Sequence, residues 1–125
     1  MDKMELDKKS PKLTDEDIDD IMCSALEGGV TYWCQRVIVV GEFRGEFASD
    51  QISREGSLRF YDRISGERFE LTKDKFVEGF NKWYAEGGDF YDAVQADGTI
   101  DCGRIDAGRA DAIVQYSLFG ETVYG

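Results

Sequence analysis

Three amphipathic stretches, each opened by a side chain able to cap a helix and closed by glycine, set the frame of this chain. In the first, Thr14 stands before Asp15-Glu16-Asp17, so a hydroxyl can cap while three acids face the positive end of the helix. Ile18, Ile21, Met22, Ala25 and Leu26 then recur at helical spacing, leaving Asp15, Glu16, Asp19 and Asp20 for solvent, until Gly28-Gly29 stops the pattern. In the second, Thr72 precedes a face of Phe76, Phe80, Trp83 and Tyr84 that ends at Gly87-Gly88. In the third, Asp106 precedes Ala110, Ile113, Val114, Ser117 and Leu118, with Gly120 at the end.

Short β-prone runs fill the space between these helices. Val30 to Gly41 ends in Val37-Ile38-Val39-Val40, an uninterrupted apolar run expected of a strand covered on both faces. Leu58 to Asp62 and Arg68 to Leu71 alternate apolar with polar around Ser65-Gly66, a hairpin signal. Phe90 to Val94 and Thr99 to Cys102 flank Asp97-Gly98 as a second expected hairpin, and Val123-Tyr124 could extend a sheet edge. Between Gly45 and Gly56 the chain is polar and aperiodic, a loop with one helical turn expected from Ser49. The order predicts an α+β fold, a mainly antiparallel sheet with three helices, as a single domain over residues 14–125. Residues 1–13, rich in Lys and Asp and holding the only proline, read as a disordered N-terminal arm.

Charge and residue absences bound the chemistry. The 125 residues carry a net charge of −11 and no histidine, which removes histidine-based triads, dyads, metal sites and pH switches. Four of the 15 basic and three of the 26 acidic residues lie in 1–13, leaving 11 against 23 in the remainder. Nucleic acid is therefore not an expected partner. Cys23, Cys34 and Cys102 are widely spaced, with no CxxC pair. They read as reduced, half-buried apolar residues of a cytoplasmic protein. The alternating charges of the first nine residues do not make a signal peptide, and no apolar run is long enough to span a membrane. Asp97-Gly98-Thr99-Ile100-Asp101 fails as a calcium loop because the twelfth position is Arg104. Gly41-Glu42-Phe43-Arg44-Gly45 lacks the lysine of a phosphate loop. No metal site and no cofactor are expected, and with 26 acids no catalytic carboxylate pair stands out.

Candidate ligand-binding residues come from three places. Ser49-Asp50-Gln51-Ile52-Ser53-Arg54 concentrates hydroxyls, a carboxylate, an amide and a guanidinium in one loop. The same residues could equally satisfy their own backbone in a turn. Arg109 falls in the first turn of the third helix, where a cation opposes the dipole; it is either a casual surface residue or held there to meet an anion. On a strand, Tyr32 and Cys34 would face one way and Trp33 the other; core packing is the default for such rings, and the alternative is that Trp33, or Trp83 with Tyr84, walls a slot for a flat ring. Arg54 and Arg109 are the candidate phosphate ligands and Trp83 the candidate base contact. Asp50 and Gln51 are the candidates for ribose hydroxyls or a base edge. The apolar pairs Leu118-Phe119 and Val123-Tyr124 point to self-association.

Four segments carry a resemblance to small proteins of clostridial prophages. They are Thr14-Asp15-Glu16-Asp17-Ile18-Asp19-Asp20-Ile21-Met22, Ala25-Leu26-Glu27-Gly28-Gly29-Val30-Thr31-Tyr32-Trp33-Cys34, Ala48-Ser49-Asp50-Gln51-Ile52-Ser53-Arg54 and Ile113-Val114-Gln115-Tyr116-Ser117-Leu118-Phe119-Gly120-Glu121. Within that group the chain resembles the phage anti-Thoeris sponge family. The resemblance implies a non-enzymatic homo-oligomer in the host cytoplasm that sequesters a cyclic ADP-ribose isomer without cleaving it. The alternative from another class is an acidic inhibitor, of the anti-CRISPR or DNA-mimic type, that acts by binding a protein.

Overall fold

Thr14 caps as its hydroxyl permits. In the computed structural model, which describes residues 10–125, its Oγ1 accepts from the Asp17 N–H at 3.1 Å and the Asp17 carboxylate accepts from the Thr14 N–H at 3.0 Å. This reciprocal box starts α1 (Asp15–Ser24), which runs on through a π turn at Ala25–Gly29. Thr72 and Asp106 cap α2 (Lys73–Ala85) and α3 (Ala107–Phe119) in the same manner, each side chain accepting from the backbone N–H three residues on. Helix α3 stops at Gly120, whose φ of 78° is a left-handed cap.

Three strands, β1 (Cys34–Val40), β2 (Ser57–Asp62) and β3 (Arg68–Leu71), form one antiparallel sheet in the order β1-β2-β3. Val37 pairs with Phe60 and Phe60 with Phe69, and a bulge between Cys34 and Arg36 starts β1. The structure shows the α+β class, the antiparallel sheet and the three helices that the pattern implies. Leu58 and Phe60 of β2 point inward to join Phe76, Phe80 and Trp83 of α2, Ile113 and Val114 of α3 and Ile18, Ile21 and Met22 of α1 in one core. Helices α2 and α3 approach closely because Gly79 has no side chain: a Cβ there would lie 2.4 Å from Ser117 Cα.

Several expectations need correction. The first strand begins at Cys34, not Val30, because Thr31 to Trp33 form a turn. Nor is it covered on both faces: Val37 and Val39 pack against the core, and Val37 to Val40 are all half-buried. The hairpin expected over 90–102 reduces to a single bridge between Val94 and Ile100. The Asp89 carboxylate takes the Ala93 and Val94 N–H groups at 2.8 and 2.9 Å, so the Ala93 donor is not free to extend the ladder past that bridge. Val123 and Tyr124 add no strand, since their N–H groups donate to the Gln115 side-chain oxygen at 2.7 and 2.9 Å.

The helical turn expected from Ser49 is present as a 3-10 turn at Ala48–Asp50. Of the expected N-terminal arm, residues 1–9 lie outside the described residues. Lys12 donates its N–H to the Gly98 carbonyl at 2.8 Å, and Leu13 packs on the core. Among the described residues no helix is long and apolar enough to cross a membrane.

Candidate functional site

Gly87 and Gly88 end α2, and the chain then turns through Phe90 and Tyr91 to meet the first turn of α3. A cleft of about 520 Å³ lies between these elements, lined by Trp83, Glu86, Phe90, Arg109, Ala112 and Tyr116 among others. That volume falls within the range of small-molecule sites. Arg109 is its one cation among the described lining residues. The guanidinium lies 4.0 Å from the Tyr91 ring centroid and 5.3 Å from that of Phe90. Its Nη1 is 3.3 Å from Asp106 Oδ2, the carboxylate that also caps α3.

The Arg109 Nε is closed off from solvent and has no hydrogen-bond partner among the described residues. A buried donor left unpaired is costly, and it is the group an incoming anion would satisfy. Both rings beside the guanidinium are exposed, Phe90 at 75% and Tyr91 at 55%. Opposite them, Tyr116 donates to Glu86 at 2.9 Å, a bond that together with burial raises its phenol above the ordinary range.

Of the five residues singled out by sequence, the fold brings Trp83 and Arg109 together at this cleft. Trp83 is only 2% exposed, its ring packed against Phe80 at 5.3 Å, so it lines the wall from inside the core. Phe90, also on the lining, is the exposed ring of the cleft. Asp50, Gln51 and Arg54 are not among the residues lining this cleft. Gln51 is fully buried and its amide is saturated: Oε1 accepts from the Arg44 N–H, while Nε2 donates to the Arg44 and Phe47 carbonyls. Asp50 accepts from the Glu46 and Phe47 N–H groups at 3.1 and 3.0 Å. These two side chains brace the loop between β1 and β2. Arg54 is exposed there, its carbonyl accepting from Arg44 Nη1 at 3.2 Å.

A second polar centre was not anticipated by the sequence reading. Asp111, buried on α3, accepts from Trp33 Nε1 at 2.8 Å and from the Tyr32 hydroxyl at 2.7 Å. Gln115, one turn on, donates to both oxygens of the same carboxylate. Tyr32 and Trp33 therefore reach the same acceptor instead of facing opposite ways, because they sit in a turn. Tyr124 stacks on Trp33 with ring centroids 4.5 Å apart and planes within 2°, and its hydroxyl donates to Asp62 at 2.5 Å. The stacked pair forms part of the wall of a neighbouring hollow of about 300 Å³, lined also by Tyr32, Asp62 and Arg63. The available signal was an acid and an amide, Asp111 and Gln115, set four residues apart among apolar neighbours on the third helix.

Among the described residues no group of three or more Cys, Asp or Glu side chains is placed to hold a metal ion. The three cysteines are free, with Cys34 buried and Cys23 and Cys102 half-buried. Burial, then the charge of Asp17, pushes the Cys102 thiol up to about 12, which leaves it unreactive at neutral pH. No family model, curated protein or solved structure matches the chain.

Proposed function

We propose that the protein binds a small phosphorylated nucleotide at the cleft between the end of α2 and the start of α3, and releases it unchanged. The observation that carries this reading is Arg109, a guanidinium flanked by two exposed rings with a buried, unpartnered Nε. A phosphate would take the free edge of that fork, and Phe90 or Tyr91 would stack on a base. The histidine-free sequence supports sequestration over turnover. The resemblance to anti-Thoeris sponges names a cyclic ADP-ribose isomer as the first ligand to try, acting as an immune signal in an infected host.

Calorimetry against cyclic ADP-ribose isomers and cyclic oligonucleotides tests this. Heat of binding with intact ligand recovered afterwards is the expected result. A charge-assisted contact is worth about 1.5–3 kcal/mol, so Arg109→Ala should weaken binding roughly ten- to a hundredfold. A second reading, an acidic inhibitor of a basic protein, is favoured by the outward row Asp15, Glu16 and Asp20 on α1. If no nucleotide in the panel binds at high micromolar concentration, that second reading replaces the first.

A further inference from the structure

The helices cover one face of the sheet only. The strand side chains that pack on the core are those of the inner face, among them Val37, Val39, Leu58, Phe60, Phe69 and Leu71. Side chains alternate along a strand, so the residues between these point outward. Opposed residues of an antiparallel pair share a face, and the register sets the outward ones in rows. Arg36, Tyr61 and Arg68 lie side by side across the three strands, and Ile38, Arg59 and Glu70 form the next row. Val40 and Ser57 follow as a third. One end of the face is therefore basic and the other, on β1, aliphatic.

In a chain that carries −11, this face sets three arginines against the single carboxylate of Glu70. The Arg36 guanidinium lies 4.2 Å from the Tyr61 ring centroid, and Arg59 meets Glu70 at 3.5 Å. Arg59 above all, with Arg68 and the charge of Arg36, holds the Tyr61 phenol below its ordinary 10.0, so three cations gather round one hydroxyl. Neither Arg36 nor Arg68 forms an ion pair with a described residue.

We propose that this open face docks an acidic amphipathic helix of another protein, with carboxylates on Arg36, Arg59 and Arg68 and aliphatic side chains on Ile38 and Val40. Three strands about 4.8 Å apart make a face about 10 Å wide, the diameter of one helix. Rows lie about 7 Å apart along a strand, near the helical pitch of about 5.4 Å, so successive turns meet successive rows. Arginine and tyrosine are the residues that anchor protein interfaces, and a guanidinium fixed on a ring offers its fork to a carboxylate with less freedom to lose. A nucleic acid strand fits less well. Arg36 occupies a side of the Tyr61 ring on which a base would stack, Glu70 stands among the cations, and phosphates gain nothing from Ile38 and Val40. The nucleotide reading concerns Arg109 and none of these residues, so the proposal does not depend on it.

Amide resonances of the nitrogen-15-labelled full chain test it. The probe is a synthetic helix of about 14 residues, four turns, with Glu on the first turn of one face and Leu on the turns that follow. Shifts centred on residues 36–40, 57–61 and 68–70 are expected, weakening as salt screens the contact. Arg36→Glu and Arg68→Glu, both at exposed positions, should each reduce affinity about tenfold or more while the remaining resonances stay in place. No shift on this face at millimolar peptide overturns the proposal. So does equal binding of a control peptide with Lys in place of Glu, or affinity that both charge reversals leave unchanged. Tighter binding of a single-stranded oligothymidylate at the same amides would make the partner a nucleic acid, and shifts on diluting the protein alone would make it a second copy. Either result also overturns the proposal.

Discussion

A carboxylate buried between a helix and a turn is costly unless donors fill its oxygens, and Asp111 has Trp33, Tyr32 and Gln115 to do so. Burial, then the bond to Asp111, pushes the Tyr32 phenol up to about 12, and burial with Asp62 does the same to Tyr124. Both phenols lie above their ordinary 10.0 in the folded chain. Their contribution to stability is therefore complete below pH 10 and lost as pH rises toward 12. Asp62 behaves oppositely. The Tyr124 hydroxyl, aided by the Ser65 and Ile64 N–H groups, lowers it from 3.8 to about 2. Its contribution is present above pH 3.8 and is lost as pH falls toward 2. Tyr124→Phe removes the shared hydrogen bond while keeping the ring on Trp33. The melting temperature of this variant should fall below the parent's at neutral pH, and the gap should close between pH 4 and 2. A gap of constant size down to pH 2 would place the effect in packing instead.

At the scale of elements, the α2–α3 contact is set by a missing side chain. Gly79 brings the helix backbones so close that an added methyl would meet Ser117 Cα, Ser117 N and Ser117 Oγ, all at 2.4 Å. Backbone cannot yield as a flexible side chain can. Gly79→Ala should therefore destabilise the fold by about 1–3 kcal/mol, although alanine is the better helix former. Urea unfolding would read this as a lower midpoint at unchanged slope, and an unchanged midpoint would show that the helices can part freely. The helices were legible because capping is local: Thr14, Thr72 and Asp106 each bond a backbone N–H three residues away. Strand placement was not local. Val37 to Val40 look the same in composition whether a neighbour lies on one side or both. The 90–102 hairpin shrinks to one bridge because Asp89, outside the pattern, takes the Ala93 N–H that the next ladder bond needs.

Across the whole molecule, the candidate cleft was half legible. Arg109 stood out because it opposes its helix dipole, and Trp83 because it closes an apolar face. Phe90 and Tyr91 fall in a run whose composition predicts a strand, so their meeting with Arg109 does not show in the sequence. Asp50, Gln51 and Arg54 are close in sequence and chemically suggestive, yet two of them are spent on the loop's own backbone. The Asp111 centre joins residues 78 and 79 positions apart, which no local pattern encodes. Long-range charge makes one further prediction. The chain carries −11, while the ion pairs among its described residues are few, some of them exposed single contacts such as Arg104 with Asp101 and Lys82 with Glu86, and one a Lys73 shared by Asp15 and Glu55. Such pairs contribute at most about 1 kcal/mol each, and salt weakens them. Self-repulsion among the excess carboxylates opposes the compact state and is screened by the same salt over a Debye length of about 10 Å at 0.1 M. Repulsion acts through every surplus carboxylate, whereas attraction is confined to a few pairs. Repulsion should therefore dominate, and the melting temperature should rise steadily with sodium chloride from low ionic strength to about 0.5 M. A melting temperature that falls over this range would mean that the surface pairs outweigh the net charge.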